Sequence, residues 1–174
     1  MSLAAKVTSR NFIFKITSIC NLNCSYCYMF NMGDDSYLRK SKIMPFEIAE
    51  KGLQEIIEYA QRNDTKSAKI VLHGGEPLLA GKEWIEKFIS KAKELTPDNI
   101  HVEIAIQTNG TLLNQEWIEY FNKHDVGVGI SIDGPQEFND RYRVDQRVEE
   151  VMKKLDMQSI YWFIHRIKLK AGVF

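Results

Sequence analysis

The chain has 174 residues, 44% of them hydrophobic and 26% charged, which fits one globular domain. Lysine plus arginine balances aspartate plus glutamate at 23 each, so there is no net pull toward nucleic acid or an anionic membrane. No apolar run of about 18 residues is present to span a bilayer, and the N-terminus lacks a signal-peptide core, so a cytoplasmic location is expected.

FIFKIT (12–17) reads as the first strand, rich in β-branched and aromatic residues. Directly after it comes CNLNCSYCYMFN (20–31), which holds every cysteine of the chain: Cys20, Cys24 and Cys27. Random placement gives offsets of four and three with a probability on the order of 10⁻⁴, so three unrelated core cysteines are a poor explanation. In a reducing compartment, an odd cluster of thiols points to metal or redox chemistry rather than to disulfides. A 4Fe–4S cluster normally takes four thiolates, and three would leave one iron open to a ligand from outside the chain. Zinc is the rival reading, with His73 or His101 as a fourth ligand.

A polar connection with a turn at Gly33-Asp34-Asp35 leads to a helix over 45–60, with Pro45 suited to its first turn. Phe46, Ala49, Leu53, Ile56, Ile57 and Ala60 share one face of it. AKIVLH (68–73) is the second strand and 83–95 the second helix, ended by a turn at 96–99. HVEIAIQ (101–107) is the third strand, and Asn114 caps a third helix that runs to Lys123. VGVGISID (126–133) is the fourth. Residues 147–155 read as a further helix and SIYWFIH (159–165) as a fifth strand. This alternation predicts parallel βαβ units with strands side by side in chain order, a partial (βα) barrel of class α/β. Period two sets Ala105, Gln107, Asn109, Gly127, Gly129, Ser131 and Asp133 on a small, polar face. The branched residues between them face the helices, which leaves a cavity at the C-terminal strand ends.

The ordered motifs CNLNCSYC, HGGEP (73–77), QTNG (107–110), SIDGP (131–135) and NDRYR (139–143) resemble those of the radical S-adenosylmethionine superfamily. The resemblance implies a 4Fe–4S cluster held by Cys20, Cys24 and Cys27, whose open iron binds S-adenosyl-L-methionine. It also implies a cofactor site formed by Tyr26, Gly74, Gly75, Glu76, Gln107, Asn109, Ser131 and Arg143. Gly74 and Gly75 would let the backbone approach the methionine moiety, the Glu76 segment would receive its ammonium, and Arg143 would lie near its carboxylate. Ser131 would touch the ribose, while Gln107 and Asn109 would serve the ribose or cap the strand ends. Asp133 reads as a turn residue, and Trp84 and Trp117 as core.

CYMFNMGDDSY, IVLHGGEPLLAG and GISIDGPQEFNDRYRVD resemble two branches: peptide maturases of the SPASM type, including cyclophane-forming ones, and anaerobic sulfatase-maturating enzymes. The implied partners are a ribosomally made precursor peptide or protein substrate and an electron-transfer protein or other reductant. No cysteine follows Cys27, and the family core has six strands. The expected organisation is therefore 1–145 as the N-terminal part of a radical core and 146–174 as a divergent or truncated tail, without a SPASM domain. A noncatalytic remnant that binds cluster or peptide, and a zinc-binding interaction module, stand as the alternatives.

Overall fold

The computed structural model describes residues 9–145, 147 and 151–155. Four strands form one sheet: β1 (Asn11–Thr17), β2 (Ser67–Gly74), β3 (His101–Thr108) and β4 (Gly127–Ile130). Their order is β1-β2-β3-β4 and every pairing is parallel, as the alternation predicts. The connections are α1 (Phe46–Arg62), α2 (Lys82–Leu95) and α3 (Gln115–Lys123). Pro45 precedes the first turn of α1, and the Asn114 side chain accepts the Trp117 N–H at 3.0 Å to cap α3.

The helices cover one face of the sheet. Ala49, Leu53, Ile56, Ile57 and Ala60 of α1 are buried, so five of the six stripe residues lie fully inside and Phe46 packs partly against them. Ile16, Ile70, Leu72, Ile104 and Ile106 are the strands' contribution to that core. Trp84 stacks on Phe88 and Trp117 on Phe121, at 5.5 and 5.1 Å between ring centroids. The alternate residues, among them Lys15, Val71, His73, Ala105, Gln107 and Gly129, stay exposed or half-buried on the other face. That face, lined by small and polar side chains, is the inner one.

Several elements depart from the sequence reading. β4 ends at Ile130, although one further ladder bond runs from the Ser131 N–H to the Thr108 carbonyl at 2.9 Å. A short helix, α4 (Gln136–Tyr142), follows the Asp-Gly-Pro turn, and Ser36–Arg39 forms a 3-10 turn. Within 147–155 the described residues contain only the 3-10 turn Met152–Lys154, and the fifth strand expected at 159–165 lies outside them.

Candidate cofactor site

The residues named from the motifs gather at the C-terminal ends of the strands. The cysteine loop leaves β1 and is fixed from within: the Cys27 N–H donates to the Cys24 carbonyl at 3.0 Å, and the Asn31 side chain donates to the same carbonyl at 2.8 Å. It is fixed from outside as well. The Asn21 side chain donates to Thr111 Oγ1 at 2.7 Å and accepts from Asn109 Nδ2 at 2.9 Å. On the far side the Asn23 N–H donates to the Val144 carbonyl at 2.7 Å and the Ser25 N–H to that of Tyr142 at 3.1 Å.

All three cysteines are free and half-buried. Burial pushes the Cys20 thiol up to about 11, helped by the negative charge of Glu76 and by Cys24. Cys24 is also raised by burial, against the opposing charge of Arg143, and Cys27 adds to it. The thiols are thus electrostatic neighbours. Leu22 N–H and Asn109 Nδ2 point at Cys20 Sγ, at 3.4 and 3.8 Å. Such N–H groups favour a thiolate and tune an iron–sulfur centre. Three free thiols on one loop, with N–H donors at Cys20 Sγ, are a donor set that fits a four-iron cluster, which takes each thiolate on a different iron. A cleft of about 360 Å³ opens beside Cys20, lined by Phe30, Tyr37, Lys40 and Lys42 among others.

The HGGEP segment is pressed against the end of β1. Gly74, at φ +139°, has no room for a Cβ, which would stand 2.4 Å from the Thr17 carbonyl oxygen. At Gly75 a Cβ would stand 2.1 Å from the Ile19 carbonyl oxygen. Both glycines let this segment close against the end of β1 and the start of the cysteine loop. The Gly75 and Glu76 N–H groups donate to the Thr17 and Ile19 carbonyls, at 3.1 and 2.9 Å.

Glu76 is wholly buried. Its carboxylate accepts from the Leu78 N–H (3.0 Å), Thr108 Oγ1 (2.7 Å) and the Asn109 N–H (2.8 Å). Burial raises its pKa against the pull of those three donors. Glu76 thus ties β2 to β3 beneath the site, and Asn109 continues the tie to the cysteine loop.

On the inner face Gln107 Nε2 donates to Ser131 Oγ at 2.9 Å, in space left by Gly129, where a Cβ would meet the Gln107 amide oxygen at 2.2 Å. His73 is half-buried, and its Nδ1 accepts the Gly74 N–H at 2.7 Å. Burial lowers its pKa. Arg143 is paired with Asp133, Nη2 lying 3.0 Å from Oδ1 and Nε 3.0 Å from Oδ2. The Tyr26 phenol also donates to Asp133 Oδ2. Burial works to raise the Asp133 carboxyl, but Arg143 and Tyr26 hold it below the usual range. Asp133, Asn21 and Thr111 were missed as site residues. The Asn21–Thr111 and Tyr26–Asp133 bonds join positions 90 and 107 apart, a pairing that no local pattern encodes.

Parallel strands that end together around a three-thiol loop, with glycines closing the second strand onto it, define a class of cluster-bearing α/β proteins. Comparison with known proteins specifies it further. The family model described as "Radical SAM superfamily" matches residues 14–158, and the chain belongs to that superfamily. The family's cofactors are a 4Fe–4S cluster and S-adenosylmethionine.

Among curated relatives, a cysteine-type anaerobic sulfatase-maturating enzyme of Clostridium novyi is 32% identical over 90% of this chain and 40% of its own length. A serine-type enzyme of Bacteroides thetaiotaomicron is 35% identical over 83% of this chain and 34% of its own. Among solved structures, anSMEcpe with bound AdoMet and Cp18Cys peptide superposes with a TM-score of 0.74 at 27% identity, over 89% of this chain and 39% of that one. The chain spans about 40% of the length of these relatives.

Proposed function

We propose that this chain forms the cofactor-binding part of an enzyme that modifies side chains of a peptide or protein by radical chemistry. When bound, the cluster and S-adenosylmethionine together supply one-electron cleavage to a 5′-deoxyadenosyl radical, which takes a hydrogen atom from the substrate. Cys20, Cys24 and Cys27 would hold three of the irons. The Asn109 amide and Leu22 N–H at Cys20 Sγ would steady the thiolate there. The backbone of Gly74–Glu76, pressed onto the end of β1, would form the wall facing the methionine moiety. Arg143 would bind the cofactor's carboxylate, and Gln107 with Ser131 would meet the ribose from the inner face.

The geometry assigns Glu76 a part that the motif alone did not give it. Its carboxylate is spent on three protein donors, so its segment would receive the ammonium through main-chain atoms while Glu76 fixes their position. A peptide or protein substrate is supported by the likeness to the sulfatase-maturating enzymes and to a structure that holds a peptide. A one-electron reductant is the second partner that this chemistry requires.

The observation that carries the reading is the meeting of the three-thiol loop with Asn109, Glu76 and Arg143 at one end of a parallel sheet. Anaerobic reconstitution should give about four irons and four sulfides per chain. Incubation with dithionite and S-adenosylmethionine should then release 5′-deoxyadenosine and methionine. Zinc uptake without sulfide, or a loaded cluster with no cleavage product, counts against it.

A further inference from the structure

Asp133 sits in the Asp-Gly-Pro turn after β4, where an aspartate ordinarily caps its own turn. Here its carboxylate faces away from the turn. It receives the phenol of Tyr26 from the cysteine loop and the guanidinium of Arg143 from the end of α4. The third side of the ring is closed by the guanidinium lying over the Tyr26 ring, 5.7 Å from its centroid. Tyr26 stands between Cys24 and Cys27, and the main-chain bonds of Ser25 and Asn23 reach the residues on either side of Arg143. Tyr26, 107 positions from Asp133, and Arg143, ten positions from it, thus meet at its one carboxylate.

We propose that Asp133 is a positioning residue that locks the cofactor-binding arginine to the cysteine loop. The inference rests on the reading of Arg143 given under the proposed function. An arginine side chain free in solvent must lose its rotamer freedom on gripping a carboxylate. Arg143 has lost it beforehand: Nη2 donates to Asp133 Oδ1, Nε lies at ion-pair distance from Oδ2 without a hydrogen bond, one face of the guanidinium lies on Tyr26, and its side chain is 14% exposed. The Nη1 edge stays outside the pair with Asp133. Tyr26 offers the cofactor no charge, and its influence passes through Asp133, whose carboxylate it orients. S-adenosylmethionine affinity therefore depends on the Tyr26 hydroxyl only while Asp133 is present.

A double-mutant cycle tests this on wild type, Tyr26→Phe, Asp133→Ala and the double variant, each reconstituted to the same iron content. Dissociation constants for S-adenosylmethionine are measured by anaerobic calorimetry. Tyr26→Phe should raise the constant about three- to tenfold in the wild-type background. In the Asp133→Ala background the same change should move it by less than about twofold. An equal loss in both backgrounds shows that Tyr26 meets the cofactor itself and overturns the inference, as does no loss in either. If Asp133→Ala takes up less iron, Asp133→Ser replaces it. Wild type that carries a cluster yet binds no S-adenosylmethionine overturns the functional reading, and this inference with it.

Discussion

Glu76 is the residue whose environment departs furthest from what its type leads one to expect. A glutamate in water needs no partner, whereas this one is wholly buried with three donors converging on it. Glu76→Ala orphans all three, at about 1 kcal/mol or more each, so urea unfolding should show a loss of roughly 3 kcal/mol or greater. The pH dependence has a definite sign. Burial raises the folded carboxyl above its unfolded value, so the native state binds more protons than the unfolded one between the two pKa values. Stability should therefore fall as pH rises from the unfolded value through the folded one, and level off above it. Glu76→Gln should lack that slope, as measured by urea midpoints across the acid range. The proposed cluster ligand Cys24 gives a third expectation: Cys24→Ser replaces a thiolate with a neutral hydroxyl, and reconstituted protein should lose the cluster's visible absorption. Full iron and sulfide in that variant would falsify its assignment.

At the scale of elements, the connection from β2 to α2 contains two glycines with different duties. A Cβ at Gly75 would run into the Ile19 backbone, which cannot swing aside as a flexible side chain can, whereas at Gly81 it meets open space despite φ +86°. Gly75→Ala should cost about 1–3 kcal/mol by overpacking and reduce iron uptake, because it pries the cysteine loop from β2. Gly81→Ala should cost about 1–3 kcal/mol through backbone strain alone and leave iron uptake intact. Melting temperature and iron per chain, measured on both variants, separate the two. The same contrast explains what was legible in the sequence. Strands and helices were readable because their apolar periods differ, and the strand-end motifs followed from where those periods stop. α4 was not readable: it has seven residues, begins after a proline and buries only Asn139. The inward turn of Glu76 and the hub at Asp133 were hidden for another reason. Each depends in part on a partner 32 or more positions distant, and the residue type is the same as at a solvated surface.

Across the whole molecule, protection should follow the sheet's order. β2 and β3 are hydrogen-bonded to a strand on both sides and bury Ile70, Leu72, Ile104 and Ile106 under the helices, whereas among the described residues β4 has one strand neighbour and β1 has one strand neighbour plus a short bridge from Thr17 to Ile43. Hydrogen exchange should be slowest at the amides of 69–73 and 103–107 and faster at 127–130. Uniform protection across the four strands would contradict this arrangement. The described residues include no helix long and apolar enough to cross a membrane. The inner face keeps Ile13 at 64% exposure beside Lys15 and His73, a mixed surface at the mouth of which the cysteine loop sits.

The tie between Tyr26 and Asp133 also bears on the order in which the protein is made. These residues are 107 positions apart, and translation adds about 5–20 residues per second. The cysteines therefore leave the ribosome about 5–20 s before the segment that closes over them. During that interval the thiols ride on a nascent loop with neither Asn109 nor the 142–145 strap to hold it. The arrangement in which the proposed cluster would be held is for this reason complete only after synthesis of β4 and α4.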